Sequence, residues 1–187
     1  MIIDDHIKSK IDGIRHHYPT EQALLLPLLH EIQAKQGWIS NQASQEAAHY
    51  LNLSLAKVEE VLTFYTMYNR KPVGQYHLQV CTNISCFLRG SDQIMACMEK
   101  KLGIHCGETT ADGKFTLSEV ECLAACGTAP VMQINDDYHE NLDARSCVDL
   151  IETLSQSSNA KNRISNNHDE ISSGQSSSRE GSYIHGR

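Results

Sequence analysis

The sequence predicts a mixed α and β protein, with a helical bundle first, a small α/β layer after it, and a polar tail at the end. Three observations carry this. Apolar residues recur at helical spacing within residues 1–71, and Tyr76, Leu78 and Val80 alternate with His77 and Gln79 as in a strand. From residue 155 onward, ten of 33 residues are serine and no periodicity survives. A chain of 187 residues accommodates these parts as one medium domain or two small ones.

The elements follow in order. Leu24, Leu25, Leu28, Leu29 and Ile32 form one apolar stripe of a helix. Pro27 lies inside it and lacks a backbone donor, so the helix either begins near Pro27 or kinks there. Gly37 is a natural stop. Ser40 is placed to cap a helix through Tyr50, and Ser54 one through about Tyr68 on which Val58, Val61, Leu62 and Tyr65 share a face. Basic residues are sparse on that last helix, which makes these packing or partner-binding helices rather than a DNA reader. Pro72 and Gly74 mark a junction, closing an N-terminal domain at residue 71.

A strand then ends at Cys81, and Ser91 is expected to cap a helix carrying Ile94, Cys97, Met98 and Lys101. Phe115 and Leu117 begin a second strand leading to Cys122. Val131 to Asn135 reads as a third, Tyr138 starts a fourth after an Asp136-Asp137 turn, and a final helix aligns Cys147, Ile151 and Leu154. This order makes an α/β domain over residues 75–155. Residues 156–187 hold too few apolar groups to offset the entropy of ordering, so a disordered tail is expected.

Charge and cysteine usage narrow the function. A net charge of −7 argues against nucleic acid as a partner. The start, MIIDDHIKSK, has no basic lead into an apolar run and is not a secretory signal. The stretch Ala23 to Leu29, broken by Pro27, is too short for direct membrane insertion. A cytosolic setting keeps thiols reduced, so seven cysteines are not read as a disulfide framework.

Four of the seven form two close pairs, Cys81-Thr-Asn-Ile-Ser-Cys86 and Cys122-Leu-Ala-Ala-Cys126, each following a strand in a loop of small or polar residues. Such loops let backbone N–H groups face an anionic centre. A [2Fe–2S] cluster with four thiolates carries a formal charge of about −2. Gly90 and Gly127 beside the pairs would permit unusual backbone angles. Structural zinc also takes four thiolates but favours tighter spacers, and a redox dithiol would show Cys-x-x-Cys. Spacing alone thus favours a cluster while leaving zinc and inert thiols open. Cys97 and Cys147 are read as small buried hydrophobes, and Cys106 as an exposed thiol without a partner. The ten histidines are scattered and read as surface residues, not ligands, and no phosphate loop or nucleophile–base pair is present.

The surrounding residues add a resemblance. Leu25-Leu26-Pro27-Leu28-Leu29-His30 with Gly37-Trp38-Ile39, Val61 to Tyr68, Val80-Cys81 to Cys86 with Gly90, Thr109 to Leu117, and Cys122-Leu-Ala-Ala-Cys126 through Val131 resemble the thioredoxin-like [2Fe–2S] ferredoxin family. Within it they resemble the E-type branch, the E subunits of NADH–quinone oxidoreductase (complex I). The resemblance covers roughly residues 10–155. It implies a thioredoxin-like fold for residues 75–155 and one [2Fe–2S] cluster on Cys81, Cys86, Cys122 and Cys126, with no catalytic residue of the chain's own. It further implies FMN and NADH on a partner, the flavin- and NADH-binding F subunit, and contact with other peripheral-arm subunits of complex I. The location so implied is cytoplasmic, on the inner face of the cell membrane through the complex. Similar subunits serve NAD-linked formate dehydrogenases and NAD-reducing hydrogenases, which is the nearest alternative; a zinc-stabilised interaction module is the alternative of another class. Many relatives read Cys-Leu-Gly-Ala-Cys in the second pair. Ala124 stands where they have glycine, so an ordinary backbone conformation is expected there.

Overall fold

The computed structural model describes residues 1–156; the expected disordered tail lies outside them apart from Gln156, which ends the last helix. Four helices come first: α1 (Asp5–Ile14), α2 (Leu25–Gln36), α3 (Asn41–Tyr50) and α4 (Leu55–Phe64). The first of these has no counterpart among the expected elements, although Ile3, Ile7 and Ile11 recur every four residues behind the Asp4 cap, whose carboxylate accepts from the Ile7 N–H. Pro27 falls in the first turn of α2, where its missing donor goes unnoticed, and Gly37 ends that helix in the left-handed region with φ +81°. Ser40 and Ser54 cap α3 and α4 through their hydroxyls.

The α4 helix stops at Phe64 rather than near Tyr68. Tyr65 turns extended, and the chain folds back along α2. The Tyr68 hydroxyl donates to the Leu26 carbonyl, while the Gln33 amide bonds both Met67 O and the Asn69 N–H. Those tertiary bonds outweigh another helical turn. The five-residue leucine and isoleucine stripe of α2 is the centre of the bundle core, joined by Ile7, Ile11, Ala43, Ala47, Val58 and Leu62.

After the junction, Gly74 lies so close to β2 that a Cβ there would sit 2.9 Å from the Phe115 backbone. The second core belongs to a four-stranded sheet of β1 (Tyr76–Cys81), β2 (Phe115–Val120), β3 (Met132–Ile134) and β4 (Asp137–His139), in spatial order β2-β1-β3-β4. β1 and β2 are parallel, with Leu78 opposite Leu117; β3 and β4 run antiparallel to their neighbours. One face presents Tyr76, Leu78, Val80, Phe115, Leu117, Met132 and Ile134. It is covered by α6 (Ser91–Leu102) and α7 (Ala144–Gln156) through Ile94, Met98, Cys147 and Ile151. A short helix, α5 (Ile84–Leu88), precedes α6. The other face is polar. It buries His77, whose Nε2 lies 2.9 Å from the Ser118 hydroxyl, contrary to the surface reading of the histidines. Alternation on a strand gives the face but not how deep that face lies.

Candidate iron–sulfur centre

Topology gathers the four cysteines. Because α5 and α6 connect two parallel strands, the C-terminal ends of β1 and β2 lie at the same edge of the sheet, the usual place for a site in such folds. β3 runs the opposite way, so its N-terminal approach, Cys126 to Val131, reaches that edge too. Cys81 ends β1, and its N–H donates to the Val131 carbonyl. Cys86 sits on α5 rather than in open loop; Asn83 caps that helix. Cys122 follows β2, and Cys126 opens a short 3-10 turn, Cys126–Thr128. Ala129-Pro130 is a cis peptide.

Cys81, Cys86, Ala129 and Val131 form a small buried cluster, whereas Cys122 and Cys126 are exposed. The Cys122 and Cys126 sulfurs are 3.7 Å apart. Two thiolates on one tetrahedral metal, each about 2.3 Å away, are separated by about 3.8 Å, so the second pair already fits a shared metal. Burial pushes the Cys86 thiol up, helped by a hydrogen bond with Cys81 and by the nearby Cys126, while the Val131 amide opposes. The same group therefore senses a sulfur from each pair. Among the described residues no three His, Cys, Asp or Glu side chains converge on a point for a single metal ion. A binuclear cluster needs two thiolates at each iron, and the second pair is spaced to supply one such set.

Backbone amides turn inward as the loop composition suggests, with one reversal. Ala124 adopts φ +60°, not the ordinary conformation expected, and its N–H lies 3.3 Å from the Cys122 sulfur. The left-handed turn redirects the chain after Ala124, and the short Cys-x3-Cys loop takes it even from alanine. Gly90 is left-handed at φ +94°, whereas Gly127 is not. Gly90 occupies the cap position of α6, so Ser91 becomes the first helical residue rather than the expected cap, and its hydroxyl is buried. A cap residue and a first-turn residue look alike in sequence, which accounts for the difference. Of the other thiols, Cys147 is fully buried and its pKa is pushed by that burial up to about 12. Cys97 is only half-buried, its sulfur 3.6 Å from the Ala144 carbonyl, and Cys106 is exposed.

Comparison with known proteins gives the family. Residues 11–155 match the family described as thioredoxin-like [2Fe-2S] ferredoxin. The E subunit of the NADH-quinone oxidoreductase of Rickettsia prowazekii is 51% identical over 138 residues, covering 72% of this chain and 78% of the relative. The E 2 subunit of the Rhizobium meliloti enzyme is 43% identical over 148 residues, covering 79% and 88%. Among solved structures, an NAD+-reducing [NiFe]-hydrogenase superposes with TM-score 0.62 at 22% identity, covering 70% of this chain and 22% of that one, which speaks for the fold. The chain therefore belongs to the thioredoxin-like [2Fe–2S] ferredoxin family and groups within it with the E subunits of NADH–quinone oxidoreductase.

Proposed function

We propose that this chain is the electron-transfer E subunit of an NADH–quinone oxidoreductase, holding one [2Fe–2S] cluster on Cys81, Cys86, Cys122 and Cys126. The observation that carries the ligand assignment is the gathering of both cysteine pairs at one sheet edge, one pair at metal-sharing distance. When bound, such a cluster supplies a one-electron store. The chain's residues do the rest. Cys81 and Cys86 hold the buried side, Val131 and Ala124 aim amides at sulfur, and the exposed Cys122 and Cys126 leave one side open to a neighbour.

That neighbour, on this proposal, is the flavin- and NADH-binding F subunit, which carries FMN and NADH, within the peripheral arm on the cytoplasmic face of the membrane. Beside the ligands, α5 exposes Ile84, Phe87 and Leu88. Apolar groups clustered on a surface mark protein contacts. No helix among the described residues is long and apolar enough to cross a membrane. The proposal includes two domains, 1–71 and 75–155, since the bundle and the sheet have separate cores.

Anaerobic preparation followed by iron and acid-labile sulfide assay tests the assignment. Two irons and two sulfides per chain are expected. Replacing any of the four ligands with alanine should abolish or severely reduce the visible spectrum, while Cys97→Ala should keep it. Zinc at one per chain and no paramagnetic signal after dithionite would overturn the cluster. The likeness to the hydrogenase fold keeps a second complex in view, an NAD-reducing hydrogenase or NAD-linked formate dehydrogenase. Co-purification of membrane-arm subunits decides for complex I.

A further inference from the structure

The short helix α5 carries one proposed ligand, Cys86, and its own residues give it little hold. Its five residues are too few for a helix to stand by itself. Cys86 is its one buried residue, while Ile84, Phe87 and Leu88 are exposed. The two residues that flank it fasten it. At the N-terminal end, Asn83 caps Ile84 through Oδ1 and donates from Nδ2 to the carboxylate of Glu121, the residue before Cys122. At the C-terminal end, the Arg89 main-chain N–H donates to the Cys86 carbonyl. Its side-chain Nε donates across 40 residues to the Ala129 carbonyl, at 2.7 Å. Ala129 is buried with Cys81, Cys86 and Val131, and it directly follows the Cys126–Thr128 turn. Four successive carbonyls fix this second arm as it approaches β3. Those of Thr128, Pro130 and Val131 accept from the backbone amides of Asn141, Leu142 and Cys81. The Ala129 carbonyl, between them, takes the Arg89 side chain instead. A hydrogen bond from a charged donor is roughly twice as strong as a neutral one, and a buried carbonyl left without a donor is costly.

We propose that Arg89 is a positioning residue for the cluster: its bond to the Ala129 carbonyl fastens the arm bearing Cys86 to the arm bearing Cys126, and so governs how long the cluster is retained. The inference rests on the ligand assignment above. A cluster held by both pairs bridges the two arms, and iron leaves when they part. Parting needs only local opening, which is easiest where a segment buries few apolar groups, as α5 does. In this role Arg89 acts through Cys86 and Cys126, not on iron or sulfur directly.

The test uses the full chain, reconstituted anaerobically and then given excess iron chelator, with cluster loss followed by the fading visible spectrum. Arg89→Met keeps the length of the side chain and removes the donor. It should lose iron roughly tenfold faster than the parent, the order set by one hydrogen bond from a charged group. Arg89→Gln places an amide N–H at the same point of the side chain without the charge, and should restore release to within about threefold of the parent. Ile151→Val is the control for stability at large, since it thins the core under α7 and leaves both arms intact. It should lower the melting temperature and leave the release rate unchanged. Parent-like release from Arg89→Met overturns the proposal. So does an Arg89→Gln rate equal to that of Arg89→Met, or an Ile151→Val rate that rises as far, because retention would then follow charge or overall stability instead of the bond. If Arg89→Met takes up no cluster while Arg89→Gln does, the bond is supported in its limit; if neither does while the parent does, the proposal falls. If the parent chain itself takes up no iron and sulfide, the ligand assignment fails instead, and the two failures are told apart.

Discussion

Ala124 shows how much a site can demand of one residue. Alanine in the left-handed region costs about 1–2 kcal/mol, and here it turns the chain within the loop whose Cys122 and Cys126 sulfurs lie 3.7 Å apart. Glycine would hold the same angle without strain but with a freer unfolded chain. Ala124→Gly should therefore stabilise the protein by about 0.5–1 kcal/mol in denaturant titration, with the cluster spectrum intact. His77 makes the opposite kind of demand. Burial lowers its pKa from 6.5 to about 4, so the folded state holds it neutral. The stability that depends on this is present above pH 6.5 and drains away as pH falls toward 4, amounting to about 3 kcal/mol across that window. His77→Gln should flatten this acid decline in unfolding curves between pH 7 and pH 4.

At the scale of elements, the junction between the bundle and the sheet is tightly packed. Gly74 donates its N–H to the Thr116 hydroxyl and lies against the backbone of Lys114 and Phe115. That neighbour is main chain in a strand and cannot swing aside as a side chain would. Gly74→Ala should cost roughly 1–3 kcal/mol, the usual range for overpacking. Unfolding followed by circular dichroism would read it. Elsewhere, local and tertiary signals share the work unequally. In α2 the leucines, Pro27 and Gly37 all agree on where the helix begins, which face it buries and where it stops. The end of α4 has no such consensus, and long-range bonds from Gln33 and Tyr68 decide it.

For the molecule as a whole, division of labour follows from exposure. The cysteines of the first pair are sunk in the fold, those of the second face outward, and the apolar rim on α5 adjoins them. A protein built to pass an electron onward has reason to keep its carrier near the surface and the surface ready for a partner. Leu88→Glu should weaken recovery of the proposed flavoprotein partner in a pull-down while leaving iron content unchanged. Equal recovery would move the contact elsewhere on the chain.

Local patterning by itself determined the types of most elements (α1 and α5 excepted), the leucine core of the bundle, the caps at Ser40 and Ser54, and the two cysteine pairs. These are short-range signals: periodicity, a capping hydroxyl, a spacer length. The family resemblance, carried by residues around the cysteines, singled out the four proposed ligands and the cluster. Only the tertiary structure decided the depth of His77, the left-handed turn at Ala124, and the orphaned hydroxyl of Ser91. The burial of His77 and Ser91 depends on residues far away in sequence, and no local pattern encodes such a meeting; the turn at Ala124 closes within the Cys122–Cys126 loop, but alanine gives no sign of a positive φ.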